Sequence, residues 1–415
     1  MRILQIHNKY LEKGGEDTVV ANERQLLQTH GHAVELCEFD NLDLEGLSKF
    51  KLLQKTLFNR VSYQKVVQHI EAFKPDIVHI HNVYYDASAA IFWAIKRKNV
   101  PAVMTIHNYR LGCIQGLLFR DNAVCSLCLD KKTAYYGLKY RCFKGSFIKS
   151  LQLTLVNTIN QWTIRYANPV KTYIFLAEFT KQMLAPTLGL QEGGGEFRVL
   201  GFELTGNSKL ETRNSKLNSK LKTPNSKLKP NYVNDFGFSP QSERDNFYLF
   251  VGRLNEQKGV KLLVETFKTN GKRLEIIGSG PLDEYVKAAA QTHPNIHCLG
   301  YLKGDAIIKK LKKTTALIVP SLTYEGQPMT ILEAFSTGTP VLAANTKNLD
   351  TLITEGQNGF LFDTKIHSSL PETVGLFEQN NHTYMYAQAR KTYEENFSPL
   401  SNYKQLMAIY NNAID

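Results

Sequence analysis

Ala316-Leu317-Ile318-Val319-Pro320, followed by Glu325-Gly326-Gln327-Pro328-Met329-Thr330-Ile331-Leu332-Glu333, is the stretch on which the fold turns. The first five residues form an apolar run closed by proline, short enough for a strand buried on both faces. Pro328 suits the first position of a helix, where its missing N–H costs nothing. Gly338 and Pro340 then stop that helix. A buried strand leading through a loop into a helix is one half of a parallel α/β unit. It sets a helix N-terminus, with its unsatisfied backbone N–H groups, at the carboxyl end of a strand, and such a place binds phosphate. Glu325 then stands in the loop at the mouth and Glu333 inside the helix. Carboxylates accept hydrogen bonds from vicinal hydroxyls, so two of them flanking a phosphate site suit a sugar nucleotide. By spacing alone, a helix cap and an exposed helical residue describe the same two glutamates.

Working outward, the same rhythm fills the second half. Strands are expected at 246–251, 273–277, 296–299, 315–319 and 339–343, with helices at 258–269, 281–292, 304–313 and 328–336. The first of these strands runs into Gly252-Arg253-Leu254-Asn255-Glu256-Gln257-Lys258-Gly259. An arginine grips phosphate through two N–H groups and a lysine adds a point charge, so Arg253 and Lys258 are candidates to neutralise a diphosphate. A solvated basic turn is the plainer reading. The second strand ends in Gly278-Ser279-Gly280-Pro281, a glycine turn lacking the third glycine of the dinucleotide fingerprint. The first half also alternates, with strands expected at 1–6, 75–80, 100–106 and 172–176. The whole therefore reads as α/β with two Rossmann-like domains, as a chain of 415 residues requires.

The boundaries predicted are an N-terminal domain over 1–202, an insert at 203–229, a second domain over 230–390 and a C-terminal helix over 391–415 that packs back on the first domain. The insert is repetitive: 207–217 and 218–228 agree at nine of eleven positions, each opening on Asn-Ser-Lys-Leu. Its leucines fall near one helical line, but Asn, Ser and Pro224 oppose a helix, and a disordered, duplicated loop is expected.

The formal charge of +12 is local. Residues 131–177 carry eight Lys/Arg and no Asp/Glu, and 203–229 carry seven against two. Tyr135, Tyr136, Tyr140, Phe143, Phe147 and Trp162 lie among the lysines of the first segment. A local basic, aromatic face suits an anionic membrane surface or an anionic acceptor. No run is long and apolar enough to span a bilayer, and Met1-Arg2-Ile3-Leu4-Gln5-Ile6-His7 reads as a strand and not a signal peptide, which predicts a cytoplasmic protein, peripheral on the membrane's inner face. Four of the six cysteines cluster as Cys113, Cys125, Cys128 and Cys142 within the stretch 112–145. Their spacing allows a structural zinc site; four unconnected thiols fit equally.

Taken in order, the Arg/Lys loop, the glycine turn and the Glu-x7-Glu helix resemble the donor domain of the retaining family-4 glycosyltransferases, which have the GT-B fold: two Rossmann-like domains facing each other across a donor and acceptor cleft. The resemblance covers nearly the whole chain. It implies that Glu325 contacts the donor sugar and Glu333 the ribose, that Arg253 and Lys258 hold the diphosphate, and that Gly278, Gly280, Gly326 and the backbone amides of Gln327, Met329 and Thr330 line the donor. Gln327 stands where many members carry an apolar residue. Gly14-Gly15-Glu16 resembles the glycine loop facing the diphosphate, and Thr105-Ile106-His107-Asn108 the strand end whose histidine lies near the transferred sugar. Lys229-Pro230-Asn231-Tyr232 resembles the start of the interdomain connection. His7, His79 and His81 read as structural.

The expected reaction moves a sugar from a UDP- or GDP-linked donor to a glycan or lipid-linked saccharide, with retention, in cell-surface polysaccharide or glycolipid synthesis. Side-chain cations would stabilise the departing diphosphate, so no divalent metal is required. With no assured nucleophile, front-face attack assisted by the leaving phosphate is expected. A sugar-nucleotide epimerase of the same fold and a non-catalytic scaffold of a polysaccharide assembly complex are the alternatives. A nucleic-acid partner is not expected, because the charge comes without a recognised binding motif.

Overall fold

The computed structural model describes residues 1–10, 14–167, 169–190 and 225–415. The chain divides into two compact units. One comprises Met1–Leu118, Ser126–Lys229 and Gln405–Asp415; the other comprises Phe119–Cys125 and Pro230–Lys404.

The first unit is built on strands β1 (Arg2–Lys9), β2 (Ala33–Asp40), β3 (Ile77–Ile80) and β4 (Ala102–Ile106). In the chain a short antiparallel hairpin follows, β5 (Phe119–Arg120) with β6 (Ala123–Val124), which counts with the second unit; the first unit resumes with β7 (Val170–Phe175) and β8 (Asn225–Leu228). The main sheet runs β2-β1-β3-β4-β7-β8 and its pairings are all parallel. Ile3 through Asn8 are buried without a break, as a strand covered by helices on both faces demands. The order reverses between β1 and β3, so the crevice outside their carboxyl ends is where a ligand belongs. His7, Asn8, His81 and Asn82 all sit at that edge, and His107 follows the end of β4.

The second unit holds β9 (Tyr248–Val251), β10 (Leu274–Ile277), β11 (Ile296–Gly300), β12 (Ala316–Val319), β13 (Val341–Ala344) and β14 (Gly359–Phe362). They run in the order β11-β10-β9-β12-β13-β14, again parallel. Alternate residues of β9 point to opposite cores. Tyr248 and Phe250 pack with the helices Val260–Asn270, Asp283–Thr292 and Ser369–Glu378. Leu249 joins Leu317 and Val319 of β12 against Gly304–Lys313, Met329–Ser336 and part of His382–Asn396. The switch in order lies between β9 and β12, the two strands whose carboxyl ends lead to Arg253 and to Glu325.

Two expectations need correction. The last Asn-Ser-Lys-Leu copy, Asn225–Leu228, is no part of a loop: it adds β8 to the sheet edge, pairing Thr172 with Asn225 through Phe175 with Leu228. Its backbone satisfies its hydrogen bonds on β7, and an edge strand needs no apolar alternation, so the polar repeat gave no strand signal. The rest of the disordered-loop reading, 203–224, lies outside the described residues. The division near 390 also moves, because the final helical stretch is two helices, His382–Asn396 and Pro399–Ile414, and only Gln405–Asp415 counts with the first unit. There the Tyr410 hydroxyl lies 2.7 Å from His79 Nδ1.

Candidate functional site

In the second unit the structure brings together two of the predicted residues. Lys258 Nζ lies 2.5 Å from Glu325 Oε1, and the Ser321 hydroxyl donates to the same oxygen at 2.6 Å. Lys258 is set by its turn: Asn255 caps the short helix Glu256–Lys258, accepting from the Lys258 backbone N–H at 3.0 Å. The turn closes on Gly259, φ +69°, where a Cβ would sit 1.9 Å from the Pro320 carbonyl oxygen. Only glycine lets this loop press against the end of β12. Glu325 is held from the other side. Asn348, itself buried and at φ +75°, donates to its backbone carbonyl at 2.6 Å. Burial works to raise the Glu325 carboxyl, but the Lys258 ammonium and the Ser321 hydroxyl outweigh it and hold the group below the usual carboxylate range. Glu325 is therefore ionised and acceptor-only, the state that binds sugar hydroxyls.

Arg253 stands exposed in the loop after β9. The glycine turn that follows β10 serves this loop. Gly278 (φ +149°) and Gly280 (φ +158°) lie so close under it that a Cβ would meet the Gly252 carbonyl oxygen at 1.8 Å and the Leu254 carbonyl oxygen at 2.5 Å. Leu254 N–H donates to Ser279 O at 2.9 Å and Gly280 N–H to Asp283 Oδ1 at 2.8 Å. Within the chain, the two glycines support the backbone that carries Arg253.

The helix Met329–Ser336 begins one residue later than expected, with Pro328 in the capping position at the carboxyl end of β12. Met329 and Thr330 offer first-turn N–H groups beside Gly326. Gln327 has a different occupation: its side-chain oxygen accepts from Asn231 N–H at 2.6 Å. That bond ties the loop to the segment Pro230–Asn231 and gives the polar side chain a structural task. Glu333 is partly buried, and its carboxyl makes no hydrogen bond or ion pair with the described residues; burial raises it to about 7.

In the first unit, Gly14 caps the helix Gly15–Thr29, with its N–H bonded to Asp17 Oδ2 at 2.9 Å. A Cβ on Gly14 would meet nothing within 4 Å, so no packing within the described residues requires glycine there. Asp17 also contacts His7 Nε2 at 2.8 Å, and Asn108 donates to Glu16 at 2.6 Å. His107 Nε2 lies 3.1 Å from His81 Nδ1, the rings edge to edge with their planes 23° apart.

Behind these residues is a buried cluster that the sequence reading passed over. Glu23, His79 and His81 bring their donor atoms within 4.8 Å of one another. Glu23 Oε1 lies 2.8 Å from His79 Nδ1, 3.3 Å from His81 Nε2 and 3.1 Å from the Gln5 amide, and its Oε2 lies 3.5 Å from Lys229 Nζ. Glu23 and Lys229, with side chains each 2% exposed, form a buried pair. Two histidines alternating along β3 and its end, His79 and His81, were the available signal, since alternate strand residues share a face. Among the described residues this is the one group of three ligating side chains so close. No three of Cys113, Cys125, Cys128 and Cys142 come within that distance. Cys125 follows the β6 arm of the hairpin and Cys128 lies in the helix Leu127–Asp130, while Cys142 packs partly buried near Ile114, Ala134 and Leu153.

Two switch-point sheets, with cations and a carboxylate on the loops after β9 and β12, define a nucleotide-binding α/β protein of two Rossmann-like units. The comparisons sharpen this class. Residues 13–193 match the model of Glycosyltransferase Family 4, and residues 234–396 match that of Glycosyl transferases group 1. The chain belongs to this family of GT-B glycosyltransferases. It is 27% identical over 180 residues to an uncharacterised glycosyltransferase of Methanocaldococcus jannaschii, spanning 41% of this chain and 46% of that relative. It is 32% identical over 131 residues to the UDP-Gal:alpha-D-GlcNAc-diphosphoundecaprenol alpha-1,3-galactosyltransferase of Escherichia coli, covering 29% of this chain and 34% of that one. The chain thus spans half or less of the length of these curated relatives. The solved structure of Anabaena HepE in complex with UDP and glucose shares the fold, with a TM-score of 0.62 at 16% identity over 99% of this chain and all of that one.

Proposed function

We propose that this protein transfers a sugar from a nucleotide donor to a glycan or lipid-linked saccharide, with retention at the anomeric carbon. The observation that carries the reading is the contact of Lys258 with an ionised Glu325 at the carboxyl ends of β9 and β12. A diphosphate placed at the N-terminus of the helix Met329–Ser336 would meet Lys258, Arg253 and first-turn N–H groups, which stabilise charge as the bond to the sugar breaks. Glu325 would hold sugar hydroxyls, and Glu333 the ribose. HepE was solved with UDP and glucose, which favours a UDP-linked donor. The name of the Escherichia coli relative favours an acceptor carried on a lipid diphosphate.

A lipid-linked acceptor calls for a membrane-facing surface. In the first unit the basic segment 131–177 supplies exposed Tyr135, Tyr140, Phe147, Ile148 and Trp162. Its long helix Phe147–Ala167 packs beside the helix Lys49–Leu57, joined by Gln152 to Thr56 at 3.2 Å. That helix brings Lys51, Lys55 and an exposed Phe50, and no Asp or Glu occurs from 46 to 70. Among the described residues no helix is long and apolar enough to cross a membrane. Contact at the surface, by charge and exposed rings, fits this composition.

The test incubates the protein with UDP- and GDP-sugars, with and without undecaprenyl-diphosphate saccharides. Transfer that depends on the acceptor, giving a product with the donor's anomeric configuration, is expected. Conversion of the donor sugar without an acceptor would establish the epimerase alternative instead, and inversion would refute retention.

A further inference from the structure

The buried cluster behind His107 fixes which of that ring's nitrogens carries hydrogen. Glu23 is the anchor. Burial pushes its carboxyl up, but its neighbours, His79 and Lys229 foremost, outweigh burial and hold it well below its usual range, so it is an ionised acceptor. His81 is buried, and burial together with neighbouring His79 pushes its pKa down to about 3, so the ring is neutral and carries one hydrogen. Its Nε2 lies 3.3 Å from Glu23 Oε1. The contact is long and off line for a hydrogen bond, but it still decides the tautomer. A bare Nε2 would set a lone pair against a buried carboxylate, whereas N–H there is attracted to it. Nδ1 of His81 is then bare, and the atom facing it at 3.1 Å is His107 Nε2. Two bare nitrogens cannot share that contact, so His107 Nε2 carries the hydrogen and donates. Burial, with His81 beside it, holds His107 well below its usual range, hence neutral.

We infer that Glu23 and His81 are positioning residues that impose one tautomer on His107, hydrogen on Nε2 and a bare Nδ1, so that in the site expected from the resemblance the ring accepts from a sugar hydroxyl and cannot donate to it. Nδ1 makes no hydrogen bond with the described residues. The inference rests on the reading of this strand end as part of a glycosyltransferase site. His79 is a brace in the same cluster: Nε2 lies 2.8 Å from the Thr105 hydroxyl, and Nδ1 lies between Glu23 and Tyr410. A metal at Glu23, His79 and His81 would have to displace these bonds and stand beside the Lys229 ammonium.

Asparagine and glutamine at position 81 separate a relay from a merely structural histidine. Asparagine can place its side-chain oxygen where Nδ1 stands, keeping an acceptor for His107 while losing the contact with Glu23. Glutamine reaches the place of Nε2, keeping the contact with Glu23 while losing the acceptor. Full-length protein labelled with [15N]histidine is studied by long-range 1H–15N correlation, with the His107 signals assigned by their loss in His107→Gln. Wild type and His81→Asn are expected to show His107 protonated at Nε2 and bare at Nδ1; His81→Gln is expected to show a mixture. Turnover should follow the tautomer, with kcat about tenfold lower in His81→Gln, KM for the donor unchanged and His81→Asn close to wild type, the factor expected for about one hydrogen bond. Donor hydrolysis without acceptor tells whether the bound hydroxyl belongs to the donor; a loss confined to transfer assigns it to the acceptor. Hydrogen on Nδ1 in the wild type, or His81→Gln outperforming His81→Asn, overturns the inference. If His107→Gln hydrolyses and transfers as the wild type does while the tautomer stands as described, it is the placement of His107 in the site that fails.

Discussion

Lys258 and Glu325 show how one contact can serve two tasks. In the free site the ammonium holds a largely buried carboxylate in its charged form. In the proposed reaction a bound diphosphate would share this ammonium, and Glu325 would turn its free lone pairs to the sugar hydroxyls. Lys258→Ala is therefore expected to lower kcat by about 10²–10³, the usual cost of deleting one donor to developing charge, as steady-state kinetics will measure. Glu333 gives a pH signature. Its folded pKa of about 7 lies above the ordinary 4.5 because of burial. The folded protein thus binds the proton more tightly than the unfolded chain, and stability present below about pH 4.5 is lost as pH rises through 7. Glu333→Gln should match the wild type at pH 4 and exceed it at pH 8 by about 1–3 kcal/mol in urea unfolding. Donor KM should rise in the wild type between pH 8 and 6, where the ribose acceptor is lost, and stay flat in the variant. The spacing of Glu325, Glu333, Arg253 and Lys258 was legible in the sequence. Glu23 and Asn348 were not, because each acts through partners distant in sequence; Ser321 lies only four residues from Glu325, but a serine after a strand carries no signal of its own.

Elements differ in how much the chain announced. The apolar runs of β9, β10, β12 and β13 were found to within two residues at each end, since a strand buried on both faces writes itself as a short hydrophobic word. β2 is broken by Glu35 and Glu38, one on each face, and is not among the strands expected from the sequence. β8 is a polar repeat at an edge and was read as loop. The glycine turn after β10 is legible as a motif, but its close packing under the Arg253 loop is not. Gly278→Ala should cost about 2 kcal/mol or more, since the added carbon would fall 1.8 Å from a carbonyl. Differential scanning calorimetry should register a fall of roughly 5 °C or more. Gly14→Ala is the contrast. Its stability should stay within about 0.5 kcal/mol of the wild type, while its donor KM rises if phosphate approaches that helix end.

For the molecule as a whole, two sheets with switch points of their own were implied by the alternation of strands and helices, while the division of the last helix between units was not, because helical periodicity carries no record of which core it serves. The acid-free stretches 46–70 and 131–177 meet in the first unit through neighbouring helices. Flotation with vesicles containing anionic phospholipid should show binding at low salt that is released at high salt, with Phe50→Ser and Ile148→Ser each weakening it; equal flotation with neutral vesicles would contradict a role for the charge. The donor site remains the centre of the account. Its most direct measurement is the thermal stabilisation of the wild type, Arg253→Ala and Glu325→Ala by a panel of UDP- and GDP-sugars. One nucleotide sugar is expected to stabilise the wild type, by about 2.7 kcal/mol at a hundredfold excess over Kd, and to stabilise either variant distinctly less. Equal stabilisation of all three proteins, or of none, would contradict it.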